Sequence, residues 1–107
     1  MRRFGQLIRV KPDKIEEYKA YHKAVWDEVA KTITECNITN YSIFHHDGLL
    51  FAYFEYVGDD YEADMAKMSA DPTTQKWWAV QKPLQEPYEV RGKGDWWVDM
   101  EEVFYQQ

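Results

Sequence analysis

The chain has 107 residues, of which 45% are hydrophobic and 17% aromatic, and its formal net charge is −6. This length is typical of one domain, and we expect a single domain over residues 1–107. The acidic balance argues against nucleic acids and anionic membrane surfaces as partners, since both attract basic patches, and no segment approaches the roughly 20 apolar residues of a membrane span.

Cys36 stands alone in the sequence, so no disulfide can form within the chain. The N-terminal residues carry charge but no apolar run of signal-peptide length. We therefore expect a soluble, cytoplasmic protein of a reducing compartment.

The first predicted elements are a strand over residues 3–10 and a long amphipathic helix over residues 13–36. Pro12 before Asp13 is typical of a helix start, because proline is tolerated in the first turn and acidic side chains suit the positive helix end. Apolar and aromatic residues recur along this helix at the spacing of one face. They are Ile15, Tyr18, Val25, Trp26, Val29 and Ile33.

His22 falls within this apolar stripe, with Tyr18 one turn before it and Trp26 one turn after it. A histidine on an apolar helix face is often a core residue. It is also the side chain whose ordinary pKa lies near physiological pH, so packing here would hold a proton donor or acceptor rigidly.

Two further strands, residues 41–46 and 49–57, are predicted to form a hairpin across Asp47-Gly48, a dipeptide that favours a tight turn. Residues 37–40 break the helical pattern before them. The third strand is apolar on both faces, so both faces need cover.

The second half of the chain begins with a helix that opens at Gly58-Asp59-Asp60 and ends near residue 69, with Met65 and Met68 directed inward. Asp71-Pro72 then resembles a cap followed by proline at the first helical position. This cap starts a short helix over residues 73–81 that contains Trp77-Trp78.

A long loop marked by Pro83, Pro87, Gly92 and Gly94 leads to a second pair, Trp96-Trp97, which either closes a pocket or lies at a subunit seam. The last strand is predicted over residues 100–105. The order βαββαβ is the ferredoxin-like α+β arrangement, in which two helices cover one face of an antiparallel sheet. Either a groove forms on the other, apolar face or a second copy covers it. We favour a symmetric homodimer with the two sheets face to face.

Three groups of residues could carry chemistry: Tyr18, His22 and Trp26 on the first helix, Asn40-Tyr41, and Trp77-Trp78. Core packing accounts equally well for the tryptophan pair, and Tyr41 also fits burial in the sheet with its hydroxyl at the rim. No metal site is predicted, because the neighbouring His45 and His46 point to opposite faces of a strand and no cysteine cluster is present.

Taken together, these segments make the chain resemble the L-rhamnose mutarotase family. The matching pieces span nearly the whole chain. They are Glu16-Glu17-Tyr18, His22, Trp26, Asn40-Tyr41-Ser42-Ile43-Phe44, Leu49-Leu50-Phe51-Ala52, Gln75-Lys76-Trp77-Trp78 and Glu101-Glu102-Val103-Phe104-Tyr105. The chain departs from the family at Lys23-Ala24-Val25, where bacterial relatives tend to carry an Asn-Pro pair, and in the loop over residues 81–98.

The resemblance implies a dimeric α+β barrel that interconverts the α and β anomers of L-rhamnose or a related 6-deoxy sugar without a metal or cofactor. It places the proton donor on His22 and the sugar-binding residues on Tyr18, Tyr41, Trp77 and Trp78. Anomer exchange passes through the open-chain aldehyde, and an imidazole can donate a proton in one direction and accept it in the other. The second proton acceptor, whether tyrosine, carboxylate or water, stays open.

Two alternatives belong to other classes. A cofactor-free or haem-degrading monooxygenase of the dimeric α+β barrel class also uses histidine, asparagine and tryptophan in its pocket, and would show a spectral change with haem or a quinol. A non-catalytic sugar-binding module would keep the tryptophans but tolerate the loss of His22.

Overall fold

The computed structural model describes residues 1–88 and 96–107. The strands are β1 (Arg2–Val10), β2 (Ile38–His46), β3 (Leu49–Tyr56), β4 (Gln85–Glu86) and β5 (Val98–Asp99). The α-helices are α1 (Ile15–Lys23), α2 (Asp27–Glu35), α3 (Tyr61–Ala70) and α4 (Pro72–Gln81), with 3-10 turns at Pro12–Lys14 and Lys82–Leu84. Within these described ranges, no helix is long and apolar enough to cross a membrane. Gly92 and Gly94 of the predicted loop lie outside the described residues.

The strands form one antiparallel sheet in the order β2-β3-β1, with β4 and β5 both paired to the far edge of β1. β4 pairs with Arg9 and Val10, and β5 pairs with Gln6 and Leu7, so the fourth strand of the motif consists of two short pieces. This is the ferredoxin-like α+β order that the sequence predicts.

The prediction of a final strand over residues 100–105 is wrong. Pairing with β1 ends at Asp99, apart from one more hydrogen bond that the Met100 amide donates to the Gly5 carbonyl at 2.8 Å. Beyond it, side chains rather than backbone hold the chain to β1. The Arg3 guanidinium donates two hydrogen bonds to the Glu102 carboxylate, at 2.8 and 3.0 Å, and lies over the Tyr105 ring.

The long helix predicted over residues 13–36 is interrupted. α1 ends at Lys23, Ala24 has φ −139° and ψ 59°, and α2 begins at Asp27 with the Trp26 carbonyl accepting its first backbone hydrogen bonds. The break contains neither glycine nor proline, and it places the Trp26 ring edge-on against Trp77, with centroids 5.1 Å apart. We attribute it to this tertiary contact, which overrides local helix propensity. As a result, His22 lies in the last turn of α1.

The β2–β3 hairpin is confirmed, and Asp47 (φ 50°) and Gly48 (φ 77°) both adopt the left-handed conformation that a type I′ turn requires. β2 begins at Ile38, earlier than predicted, since Ile38 and Thr39 already pair with β3. A bulge between Thr39 and Ser42 follows. The bulge adds one residue to β2, and Asn40 within it has φ 50°. A bulge re-aims the side chains around it, and here the neighbouring side chain is Tyr41.

The predicted cap at Asp71 is present, and Asp60, at the predicted start of the preceding helix, caps it in the same way. The Asp60 carboxylate accepts from the Ala63 amide at 3.1 Å, and the Asp71 carboxylate accepts from both the amide and the hydroxyl of Thr74 at 2.8 Å. α3 and α4 therefore begin where the sequence indicates.

The core lies between the helices and one face of the sheet. Alternate residues of β1 and β3 are buried there, and they are Ile8, Val10, Leu50, Ala52, Phe54 and Tyr56. On the opposite face Phe44, Phe51 and Tyr53 keep 60%, 38% and 37% of their surface exposed. The third strand is therefore apolar on both faces, as predicted, and in the single chain only one face is well buried.

Candidate active site

A cavity of about 390 Å³ lies between the helix-facing side of the sheet and the four helices. Its lining includes the five residues on which the resemblance places the proton donor and the sugar-binding residues, although they come from three separate elements. They are Tyr18 and His22 of α1, Tyr41 of β2, and Trp77 and Trp78 of α4. Trp26 and Asn40, which the sequence also singled out, do not line the cavity. The volume is typical of a site for a small organic ligand.

The His22 imidazole is fixed by three contacts. Its Nδ1 lies 2.8 Å from the Tyr18 carbonyl oxygen. Its ring stacks on the Tyr18 ring with centroids 4.1 Å apart and meets the Trp77 ring at a steep angle with centroids 5.4 Å apart. Because a carbonyl oxygen only accepts, Nδ1 carries a hydrogen, and the neutral ring has its acceptor lone pair on Nε2. Burial lowers the pKa of His22, against a smaller opposing effect of the hydrogen bond to Tyr18. The site therefore favours the neutral imidazole.

The Tyr18 side chain is 4% exposed and belongs to a buried polar chain. The Trp96 indole N–H donates to Gln85 Oε1 at 2.7 Å, and Gln85 Nε2 approaches the Tyr18 hydroxyl at 3.5 Å. Burial raises the pKa of the Tyr18 phenol well above its usual range, more than the Gln85 contact lowers it. Tyr18 thus stays protonated and can donate a hydrogen bond.

Tyr41 reaches the cavity from the β2 bulge. The residue as a whole is 42% exposed, but its ring packs near Phe54 with centroids 5.4 Å apart and its phenol end is desolvated. This desolvation, with a smaller contribution from Tyr61, raises the pKa of Tyr41 to about 12. A second protonated phenol therefore lines the cavity.

The two tryptophans of α4 differ in burial, as the angular spacing of adjacent helix residues requires. Trp77 is 7% exposed and meets the Tyr21, His22 and Trp26 rings edge-on at 6.2, 5.4 and 5.1 Å. Trp78 lines the cavity and is half-buried. Trp77 therefore belongs to the core and also lines the cavity.

The sequence left the role of Trp96-Trp97 open, and the structure places both residues in the cavity lining and against the core cluster around Ile8. Three glutamines of the lining, Gln6, Gln81 and Gln85, were not predicted at all. A signal existed for Gln81, which lies one turn after Trp77-Trp78 on the same helix face. Gln85 carries no such local signal.

The adjacent histidines of β2 are not part of the site. His45 Nε2 accepts a hydrogen bond from the Gly48 amide at 3.1 Å, which ties this ring to the hairpin turn. Over residues 1–88 and 96–107, no three histidine, cysteine or carboxylate side chains come together in a way that could hold a metal ion.

A model of the L-rhamnose mutarotase family matches residues 3–106 of the chain. The chain belongs to this family. The L-rhamnose mutarotase of Bacillus subtilis (strain 168) is 34% identical over 110 residues, and that of Shouchella clausii (strain KSM-K16) is 34% identical over 107 residues; each alignment covers 98% of both chains. The protein is accordingly an isomerase that acts on the anomeric carbon.

Two solved structures share the fold with this mutarotase-family chain. The L-rhamnose mutarotase of Formosa agariphila superposes with a TM-score of 0.78 at 21% identity, covering 100% of both chains. Tetracenomycin F2 cyclase of Streptomyces glaucescens, a type-II polyketide cyclase, superposes with a TM-score of 0.66 at 20% identity, covering 100% of this chain and 97% of the other. Since the second neighbour has a different activity, the fold alone does not define the reaction.

Proposed function

We propose that the protein interconverts the α and β anomers of L-rhamnose or a related 6-deoxy sugar, with His22 as the acid–base group. The observation that carries this proposal is the placement of the His22 ring. Its Nδ1 is occupied by the Tyr18 carbonyl at 2.8 Å, and it lies in a cavity that also holds both tyrosines and both tryptophans of the family pattern.

The proposed reaction begins with neutral His22, because burial lowers its pKa. His22 therefore accepts a proton as the sugar ring opens, and it acts as the proton donor, the role that the resemblance implies, as the ring closes. As the sugar ring opens, Nε2 accepts the proton of the anomeric hydroxyl, the bond between the anomeric carbon and the ring oxygen breaks, and the ring oxygen gains a proton from a second donor. The aldehyde turns, the ring oxygen attacks its other face and loses a proton, and the His22 imidazolium returns its proton to the new anomeric oxygen. Such positioned acid–base catalysis supplies about 10²–10⁴-fold.

The remaining predicted residues hold the sugar. Tyr18 and Tyr41 keep their protons because burial raises both pKa values, so each can donate a hydrogen bond to a sugar oxygen. The faces of Trp77 and Trp78 suit the C–H face of a pyranose and the methyl group of a 6-deoxy sugar.

We propose that the working form is a homodimer with the exposed sheet faces in contact. Phe44 and Phe51 lie directly opposite each other on this face, and Tyr53 extends it along β3. An apolar patch of this kind on an isolated chain favours self-association.

We also propose that the protein works in the cytoplasm. Cys36 is fully buried and its thiol has a pKa raised by burial, so it fits a structural role in a reducing compartment.

The test of the function is anomer exchange of L-rhamnose, measured by saturation-transfer NMR, for the wild type and His22→Ala. The variant should exchange the anomers at the uncatalysed rate while its circular dichroism spectrum stays unchanged. Wild-type activity in the variant would refute the role of His22, and a wild type that binds sugar without accelerating exchange would be a binding module.

A further inference from the structure

Gln81 ends α4 inside the protein rather than at its surface. It is 4% exposed, it lines the cavity, and neither its Nε2 nor its Oε1 has a hydrogen-bond partner among the residues that the structure describes. Nearly all buried polar side chains in folded proteins have a partner, because an unpaired buried donor or acceptor costs free energy. The carboxamide is therefore a candidate to bind a group that enters the cavity.

The position of Gln81 on α4 directs it to the same place as the tryptophans. Thr74, Trp77, Trp78 and Gln81 follow one another at intervals of three, one and three residues, which puts them on one helix face, and all four line the cavity. Thr74 and Trp77 are buried like Gln81. The carboxamide thus shares the cavity wall with the two residues proposed to pack on the sugar.

Three other polar side chains of the lining are already engaged within the protein. Gln85 accepts from Trp96 and approaches Tyr18, the Gln6 amide donates to Asp99 at 2.8 Å, and the Thr74 hydroxyl donates to Asp71. Gln81 differs from these three residues because neither end of its amide has a partner in the described ranges 1–88 and 96–107.

We propose that Gln81 is a specificity residue that binds two neighbouring hydroxyl groups of the pyranose substrate, Oε1 accepting from one and Nε2 donating to the other. The proposal rests on the proposed function for the identity of the ligand as a sugar. A primary amide presents a donor and an acceptor side by side, and a pair of adjacent hydroxyls matches both. Hydrogen bonds of this kind let a site reject analogues that lack one hydroxyl.

The experiment compares wild type, Gln81→Met and Gln75→Met. Gln81→Met keeps the length of the side chain and removes the donor and the acceptor. Gln75→Met makes the same change on the exposed part of the same helix, outside the cavity lining. Affinity is measured by NMR titration with L-rhamnose and with its methyl glycoside, which cannot open its ring, so binding is followed independently of anomer exchange.

We expect Gln81→Met to weaken binding of both ligands by about tenfold or more, as the loss of one or two hydrogen bonds implies, and Gln75→Met to bind like wild type. Monodeoxy analogues of the sugar should distinguish the two proteins. Loss of a hydroxyl that Gln81 binds should lower the affinity of wild type and leave the affinity of Gln81→Met almost unchanged. The thermal midpoint of unliganded Gln81→Met should be equal to or above that of wild type, because an unpaired buried amide has been removed.

A lower thermal midpoint with unchanged affinity would overturn the proposal in favour of a structural role, and so would equal sensitivity of both proteins to every missing hydroxyl. Failure of the wild type to bind any of these sugars would also overturn it. If wild type binds sugars without accelerating exchange, the proposed function fails, whereas the assignment of Gln81 is still decided by the affinities.

Discussion

The Nδ1 atom of His22 lies 2.8 Å from the carbonyl oxygen of Tyr18, one turn earlier on α1. This contact fixes the tautomer, because only a protonated Nδ1 can donate to a carbonyl. It leaves Nε2 as the ring atom with an acceptor lone pair, which is the atom proposed to exchange a proton with the substrate. The helix turn that places His22 in the cavity therefore also sets which ring nitrogen carries the hydrogen.

The pH dependence of activity should reveal the lowered pKa of His22. The neutral imidazole is the proposed acting form, so activity should persist as the pH falls below 6.5, the ordinary value for histidine, and decline only at the lower pKa. An ¹⁵N NMR titration of the ring should show the same midpoint and a protonated Nδ1 in the neutral form. A midpoint above 6.5, or a protonated Nε2, would contradict this account.

The same shift predicts a loss of stability in acid. Below pH 6.5 the unfolded chain binds a proton at His22 that the folded protein binds only at lower pH, so the free energy of unfolding should fall as the pH drops through this window and no longer change above it. Urea denaturation of wild type and His22→Gln at several pH values isolates this contribution. Equal pH slopes in the two proteins would count against it.

Gln85 should couple Trp96 to Tyr18. Trp96→Phe removes the indole N–H that donates to Gln85, and Gln85→Leu removes the acceptor, so each change should lower the free energy of unfolding by about 1 kcal/mol. The double variant should lose less than the sum, and both single variants should weaken sugar binding. Additive effects in urea denaturation would show that the hydrogen bond does not link these residues.

The bulge in β2 should depend on the backbone conformation of Asn40. Asn40→Val places a β-branched residue at φ 50° and should destabilise the protein by about 1–2 kcal/mol and weaken sugar binding through Tyr41. Asn40→Gly tolerates this φ and is the matched control, although it also loses the 2.8 Å hydrogen bond to Glu55. If valine and glycine have equal effects on thermal unfolding, the conformation is not the cause.

The exposed sheet face should mediate dimerisation. Phe44→Glu and Phe51→Glu each place a charge at the centre of this face and should shift the protein from dimer to monomer in analytical ultracentrifugation. Ala66→Glu, on the exposed side of α3, adds the same charge elsewhere and should remain dimeric. A monomeric wild type at micromolar concentration would refute the proposed dimer.

Much of the fold could be predicted because local residues carry its signals. Asp47-Gly48 supplies the two left-handed conformations of the hairpin turn. The Asp60 and Asp71 carboxylates each accept a hydrogen bond from an amide in the first turn of the helix that follows. The convergence of His22 with Trp77 followed from the family pattern, although the sequence alone gave no distance between them.

The tertiary structure decided the features whose cause lies far away in the chain. α1 and α2 separate where Trp26 meets Trp77, and the last strand ends at Asp99 because pairing with β1, rather than local propensity, sets its length. That the amide of Gln81 has no partner among the described residues could be recognised only from its surroundings in the folded chain. Turns and caps are determined by the residues within them, whereas breaks, strand ends and hydrogen-bond satisfaction depend on partners that folding brings into contact.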